Sequence, residues 1–245
     1  MFKKFRFMTV FAVFLAVCIL VGCAGRTSEK GKEIERLLED RYGERFRVTS
    51  VREGSYGREG YYEAEAYAVK HKDLPFSLNM SEDGGSFSDG YTMKRGTALI
   101  AEKIRDNIGK MKNPYYVHVQ SMFPDSLTND PDQTLEEYLT QEASNFYTVY
   151  LYVNTKGETP ESIWEHVEHA LDGMPSMDGS LEVFFSDKTT MKKAQGYVES
   201  HAGLEDEYMK IGEEDHIYGI DFRAGAIGTA KSTFLDAAGQ KMCCP

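Results

Sequence analysis

The sequence predicts an α+β protein, with mixed, mainly antiparallel sheets packed with helices and two subdomains of similar size. Three observations point there. Apolar residues recur at helical spacing in some segments and alternate in others, without the strict strand-helix-strand order of a doubly wound sheet. A helix followed by a strand occurs in both halves, at Ile34 to Val51 and at Leu135 to Val153, although the residue identities do not support a sequence repeat. The chain of 245 residues is 41% hydrophobic and 12% aromatic, which is enough apolar material for a packed core and argues against wholesale disorder.

The first element is an address. Lys3, Lys4 and Arg6 precede an uncharged stretch from Phe7 to Gly22, the basic and then apolar arrangement of a secretory signal. That stretch falls short of the roughly 20 apolar residues a spanning helix needs, so residues 1–22 are read as a removable signal. The residues that close it, Leu20-Val21-Gly22-Cys23, resemble the lipobox of bacterial lipoproteins. The resemblance implies cleavage behind Gly22, a diacylglyceryl thioether on Cys23, and location at the extracytoplasmic face of the cell membrane. Two acyl chains anchor firmly, since each buried methylene contributes about 0.8 kcal/mol. Ala24 does not decide between a Gram-positive surface and a periplasmic leaflet, and the former is the preferred reading. Residues 23–31 then form the anchor and a flexible tether, with Gly25, Ser28 and Gly31 and no large apolar side chain after Cys23.

Loss of the signal removes three basic groups and no acid, taking the formal charge from −11 to −14 over the remaining 223 residues. Such a chain repels a phosphate backbone, so nucleic acid is excluded as a general partner. Anionic headgroups repel it for the same reason, and the domain is expected to stand off the membrane rather than lie on it.

From Gly31 to Tyr42 the positions Ile34, Leu37, Leu38 and Tyr42 predict an amphipathic helix closed by Gly43. Arg45 to Val51 alternates as a strand, as does Tyr61 to Val69, where Ala64, Ala66 and Ala68 oppose Glu63, Glu65 and Tyr67. Gly54, Gly57 and Gly60 mark the turn between them. Phe76 to Met80 is a third strand behind Pro75, ended by a glycine and aspartate loop. Leu99, Ile104, Ile108 and Met111 predict a second long helix over Thr92 to Met111, closed by Asn113-Pro114. Tyr115 to Met122 reads as a strand.

The run Phe123 to Gln133, rich in Pro, Asp and Asn, is the expected boundary, giving subdomains 32–122 and 134–238 and a tail 239–245. Beyond it Leu135 to Ala143 is helical, and Phe146 to Val153 is an almost continuous aromatic and β-branched run, as expected of a central strand covered on both faces. Thr159-Pro160 starts a helix whose buried stripe is Ile163, Trp164, Val167, Ala170 and Leu171. Leu181 to Phe185 is a strand, Met191 to His201 a helix, Ile217 to Arg223 a last strand and Thr229 to Ala238 a terminal helix. The stretch Leu38-Glu39-Asp40-Arg41-Tyr42-Gly43-Glu44-Arg45-Phe46-Arg47-Val48, with Ser88-Asp89-Gly90-Tyr91 downstream, is similar to a pattern in small uncharacterised lipoproteins of Gram-positive bacteria. It implies no activity and carries over no functional residue.

Chemistry is sparse by comparison. His166 and His169 are three apart on a helix, so two imidazoles share a face and a zinc site is one reading. Their spacing matches neither H-E-x-x-H nor H-x-x-E-H, and a solvated helix edge is the stronger reading. Asp83 to Asp89 offers hard oxygens and glycines as a calcium loop does, but without regular spacing, and an ordinary turn accounts for it. The acidic clusters Glu205-Asp206-Glu207 and Glu213-Glu214-Asp215 are read as solvated loops.

Cys243 and Cys244 are the only thiols left once Cys23 is lipidated; a frayed tail, a strained ring and an intermolecular pair stay open, with the tail first. No G-x-S-x-G, S-x-x-K or phosphate loop occurs. Of the 15 tyrosines, exposed ones would suit a peptide or glycan. The expectation is a non-enzymatic, membrane-anchored module binding a ligand or envelope partner, without a cofactor. An envelope enzyme and an accessory subunit of a membrane complex are the alternatives.

Overall fold

The computed structural model describes residues 29–56, 59–122, 130, 132–141, 146–174, 177–201, 216–223, 226–227 and 231–243. The signal, the lipobox with Gly22 and Cys23, the clusters at 205–207 and 213–215, and Cys244 lie outside them. Among the described residues no helix is long and apolar enough to cross a membrane. The fold is α+β with two sheets, as expected, and the chain divides into two compact units.

The N-terminal unit takes the chain up to Lys70 together with Ser77–Ser88. Its helix α1 (29–42) ends at Gly43, whose φ of 69° is the left-handed conformation that glycine adopts freely, with its N–H bonded to the Glu39 carbonyl at 2.8 Å. Strands β1 (Phe46–Tyr56), β2 (Glu59–Ala68), β3 (Phe76–Ser81) and β4 (Phe87–Asp89) lie side by side in chain order. β1 and β2 pair antiparallel from Phe46 opposite Ala68 to Tyr56 opposite Glu59, with a bulge between Val48 and Ser50. The hairpin is longer than the glycine pattern predicts. Gly54 sits inside a strand because a Cβ there would come within 2.5 Å of the Tyr61 ring, so the ring occupies the space a side chain would need.

Helix α1 packs on β1: a Cβ at Gly31 would touch Val48 at 3.7 Å, and Glu35 accepts a hydrogen bond from the Val48 N–H at 3.1 Å. Ile34, Leu38, Phe46, Tyr62, Ala64, Ala66, Ala68, Leu78 and Met80 are buried in this unit.

The C-terminal unit takes His71–Phe76 and the chain from Asp89 onward. It contains α2 (Tyr91–Ile108), β5 (Tyr115–Ser121), α3 (Leu135–Gln141), β6 (Phe146–Val153), α4 (Pro160–Val167), β7 (Asp178–Phe185), α5 (Lys188–Ser200), β8 (His216–Arg223), β9 (Ala226–Ile227) and α6 (Lys231–Cys243). Its strands are ordered β5-β6-β7-β8-β9, and every pair is antiparallel except β6 with β7. The parallel pair needs a crossover, which α4 supplies. Thr159 caps α4 reciprocally with Ser162, and Pro160 opens it as the sequence predicts.

β6 is interior to the sheet and covered on both faces. Tyr147, Val149, Leu151 and Val153 enter a large core with Ile100, Ile104 and Ile108 of α2, Ile163, Trp164 and Val167 of α4, and Phe234 and Ala238 of α6. Tyr150 and Tyr152 point the other way, into a smaller cluster with Phe184, Met191 and Ala194 under α5. A strand with both faces buried has no polar alternation to show, and this accounts for the unbroken apolar run.

Three boundaries differ from the sequence reading, the first being the tether 23–31: residues 29–31 already lie in α1, where Gly31 is buried against Val48 of β1. The division does not fall at 123–133, and 32–122 is not a subdomain: β5 pairs along its length with β6, and the units part at Lys70/His71, Phe76/Ser77 and Ser88/Asp89. The physical reason is that Val117 and Val119 of β5 are buried only as part of the sheet that β6 continues. The Pro- and Asp-rich run is therefore a connection inside one sheet. The tail 239–245 is also corrected, because α6 continues to Cys243; Met242 follows Phe234 and Ala238 at four-residue steps and packs against the same core.

Candidate functional site

α2 ends where Gly109, at φ 67°, turns its N–H back to the Arg105 carbonyl, and β5 then runs back along the helix. The Tyr115 hydroxyl donates to the Arg105 and Gly109 carbonyls at 3.1 and 3.0 Å, fixing the start of the strand beside the end of the helix. Further along, His118 feels the charge of Lys94 near the start of α2. Because β5 is the edge strand, a cavity of about 570 Å³ opens along it, walled by α2, by α5 and by the segment Leu74-Pro75. From Lys94 to Arg105 it follows α2 through eleven helical rises, roughly 16 Å at 1.5 Å each.

Its walls combine apolar and ionisable groups. Leu74, Ala98, Ala101, Val117 and Val198 supply apolar surface, while Lys94, Arg95 and Arg105 bring positive charge and Asp73, Glu102 and Glu199 negative charge. Lys94 is only partly exposed, and enough protein surrounds its ammonium to lower its pKa from 10.5 to about 8 by desolvation. Among the described residues Lys94 makes no ion pair. Arg95 is held differently: its Nη1 lies 3.1 Å from Nδ1 of His71 and also contacts Nε2 of that ring.

His118 is buried, and desolvation, reinforced by the Lys94 charge, lowers its pKa to about 3, so it is a neutral imidazole at physiological pH. It stacks on Tyr150 with ring centroids 6.0 Å apart. Burial pushes the Tyr116 hydroxyl well above its ordinary value, with Glu199 adding to the shift and Arg105 opposing it. Tyr150 is raised to about 12 by burial and donates to Gln120 at 3.2 Å. The pocket's polar side chains on β5 are therefore uncharged, and its local charges come from α2, α5 and the segment at His71–Asp73.

The residues singled out in the sequence lie elsewhere. His166 donates from Nδ1 to the Ile108 carbonyl at 2.7 Å, whereas His169, in the turn after α4, faces Asp172 at 3.0 Å and Glu168 at 3.7 Å. The two imidazoles are thus occupied by different partners, and Glu168 also accepts from the Trp164 indole at 2.6 Å. No group of three or more His, Cys, Asp or Glu fit to hold a metal occurs among the described residues.

The Asp83 region is a turn. Asp83 accepts from Ser81 Oγ at 2.6 Å and from the Gly85 N–H at 2.9 Å, bonds that lower its pKa, and Phe87–Asp89 continues into a short strand. Of the tyrosines, Tyr62, Tyr147, Tyr150 and Tyr152 are buried, while Tyr61, Tyr115 and Tyr116 are partly exposed.

No spaced motif marks the cavity in the sequence, although two signals bear on it. Lys94 stands three residues from both Tyr91 and Thr97, on the helix face that buries them, where an apolar residue is expected. Tyr116, His118 and Gln120 form a polar-capable stripe on one face of β5, a face that α5 covers.

The fold and cavity define an α+β protein of two sheets with an edge-strand pocket in its C-terminal unit. No family model matches the chain, and no curated protein matches it. Among solved structures it is similar to that of a DUF5037 family protein from Ruminococcus gnavus, with a TM-score of 0.63 and 19% identity over 85% of this chain and 98% of that one. That likeness shows the fold.

Proposed function

We propose that this chain is a membrane-anchored extracytoplasmic lipoprotein whose C-terminal unit is a non-enzymatic ligand-binding module, with the cavity along β5 as its ligand site. The anchor reading rests on four features in order: basic residues, an apolar run, Gly22 and Cys23. The ligand reading is carried by the cavity, whose size and apolar walls with a few ionisable groups suit a small molecule. The tether holds the chain to the membrane at its N-terminal end, and the chain's acidity opposes its lying on anionic headgroups.

Anchor and module are tested in one preparation. The intact mass of the membrane-fraction protein should begin at Cys23 and include a diacylglyceryl group, and Cys23→Ala should release the chain from that fraction. An unlipidated wild-type mass together with unchanged partitioning of the variant overturns the anchor. Native mass spectrometry before and after denaturation then tests the module, with a small molecule expected to be lost on unfolding.

A further inference from the structure

An ammonium that sits among protein atoms without a carboxylate is a cost to the fold, and this chain has 39 acidic residues from which a partner could have been drawn. Lys94 faces the cavity along β5, and among the described residues it has no carboxylate partner. Its neighbour His118 is neutral and cannot compensate it, and Arg95 is engaged with His71. Apolar walls continue from Lys94 along the groove. We propose that the cavity takes a small amphiphilic carboxylate, its carboxylate group on the Lys94 ammonium and its apolar body along Leu74, Ala98, Ala101, Val117 and Val198. This deepens the ligand-site reading and rests on it.

The charge count selects a single negative charge. The walls carry three cations and three carboxylates: Arg95 is engaged with His71, Arg105 lies eleven positions along α2 from Lys94, and Asp73, Glu102 and Glu199 would repel a phosphate dianion at Lys94, which supplies one positive charge. A carboxylate brings one charge and leaves the apolar part of the molecule for the walls. Seating it gives Lys94 a counter-ion that no described residue supplies, and favours its charged form.

The test is calorimetric titration of the full lipidated chain in detergent micelles, referenced to micelles alone, with hexanoate, hexan-1-ol, hexylammonium and inorganic phosphate as probes. Hexanoate should bind and the others should bind more weakly or not at all. Lys94→Gln should weaken hexanoate by about tenfold or more, while Lys94→Arg, which keeps the charge, should retain it. In the wild type, raising the pH from 7 to 9 should weaken hexanoate by about tenfold as Lys94 loses its proton, and Lys94→Arg should lose that dependence. The pH series needs no variant that fails to fold. Equal binding of hexan-1-ol, with Lys94→Gln unchanged, overturns the carboxylate on Lys94 but leaves the cavity as a ligand site. Preference for phosphate overturns the class, a pH dependence that persists in Lys94→Arg overturns the role of Lys94, and failure of all four probes overturns both readings.

Discussion

The two sheets of this molecule are built from similar strands but are covered differently. In β3 the buried Phe76, Leu78 and Met80 alternate with exposed Ser77 and Asn79, and on β1 and β2 Arg47 and Glu63 are likewise exposed, so this sheet keeps a polar face. In β6 both alternate sets are buried from Val149 to Val153, one under α2, α4 and α6 and the other under α5. A sheet with an open face leaves ionisable groups such as Arg47 and Glu63 exposed to water. A sheet covered on both faces can hold Lys94 and His118 beside a cavity and lower both. Desolvated ionisable groups beside a cavity therefore go with the second arrangement, and the candidate site follows from how the sheet is covered.

The comparison breaks most visibly in the larger core. Trp164→Ala removes the ring that packs on Phe234 at 5.2 Å and the indole bond to Glu168. It should cost about 3–5 kcal/mol. Hydrogen exchange should show the loss in β6 and β7 while β1 and β2 keep their protection; equal loss in both sheets would mean that they unfold as one cooperative body. The reciprocal change, Leu38→Ala on α1, removes a fully buried side chain in the N-terminal unit. It should cost about 2–4 kcal/mol, read as faster exchange in β1 and β2. If that change left exchange in β1 and β2 unaltered, α1 would not be what covers the N-terminal sheet.

Most of the regular structure was legible because its periodicities are strong. Phe146–Val153 is the strand the unbroken apolar run predicts, and the Thr159-Pro160 start of α4 is realised with its cap. The short strands β4 and β9, of three and two residues, carry too little pattern to be read, and Gly54 looked like a turn because its partner, the Tyr61 ring, is across the hairpin. The boundary failed for a related reason: a Pro- and Asp-rich run records local flexibility, whereas membership of a sheet depends on the strand that pairs with β5 from beyond that run. The site was illegible because neither Lys94 nor His118 belongs to a spaced motif. Lys94 is one misplaced cation on a helix face and His118 one residue of a strand, and only the packing of α2 and α5 around β5 gives them a common environment.

The smallest expected effect bears directly on why the buried ammonium is kept. Lowering Lys94 from 10.5 to about 8 means that the folded protein binds this proton less tightly than the unfolded chain does. The stability that follows is full above the unfolded value near 10.5 and is lost as the pH falls towards 8, so at pH 7 the charged side chain is a burden. About 3 kcal/mol is the ceiling for such a shift, and partial exposure of the side chain screens it to about 1–2 kcal/mol. Lys94→Met should therefore stabilise the protein by about 1–2 kcal/mol at pH 7 in denaturant titrations, with the gain shrinking as the pH rises from 8 to 10.5. No residue of the open-faced sheet should behave this way. A variant that is more stable yet binds no carboxylate would show that Lys94 is held against folding for the sake of a ligand, whereas a destabilised Lys94→Met would make the lysine a structural part of the α2 and β5 packing.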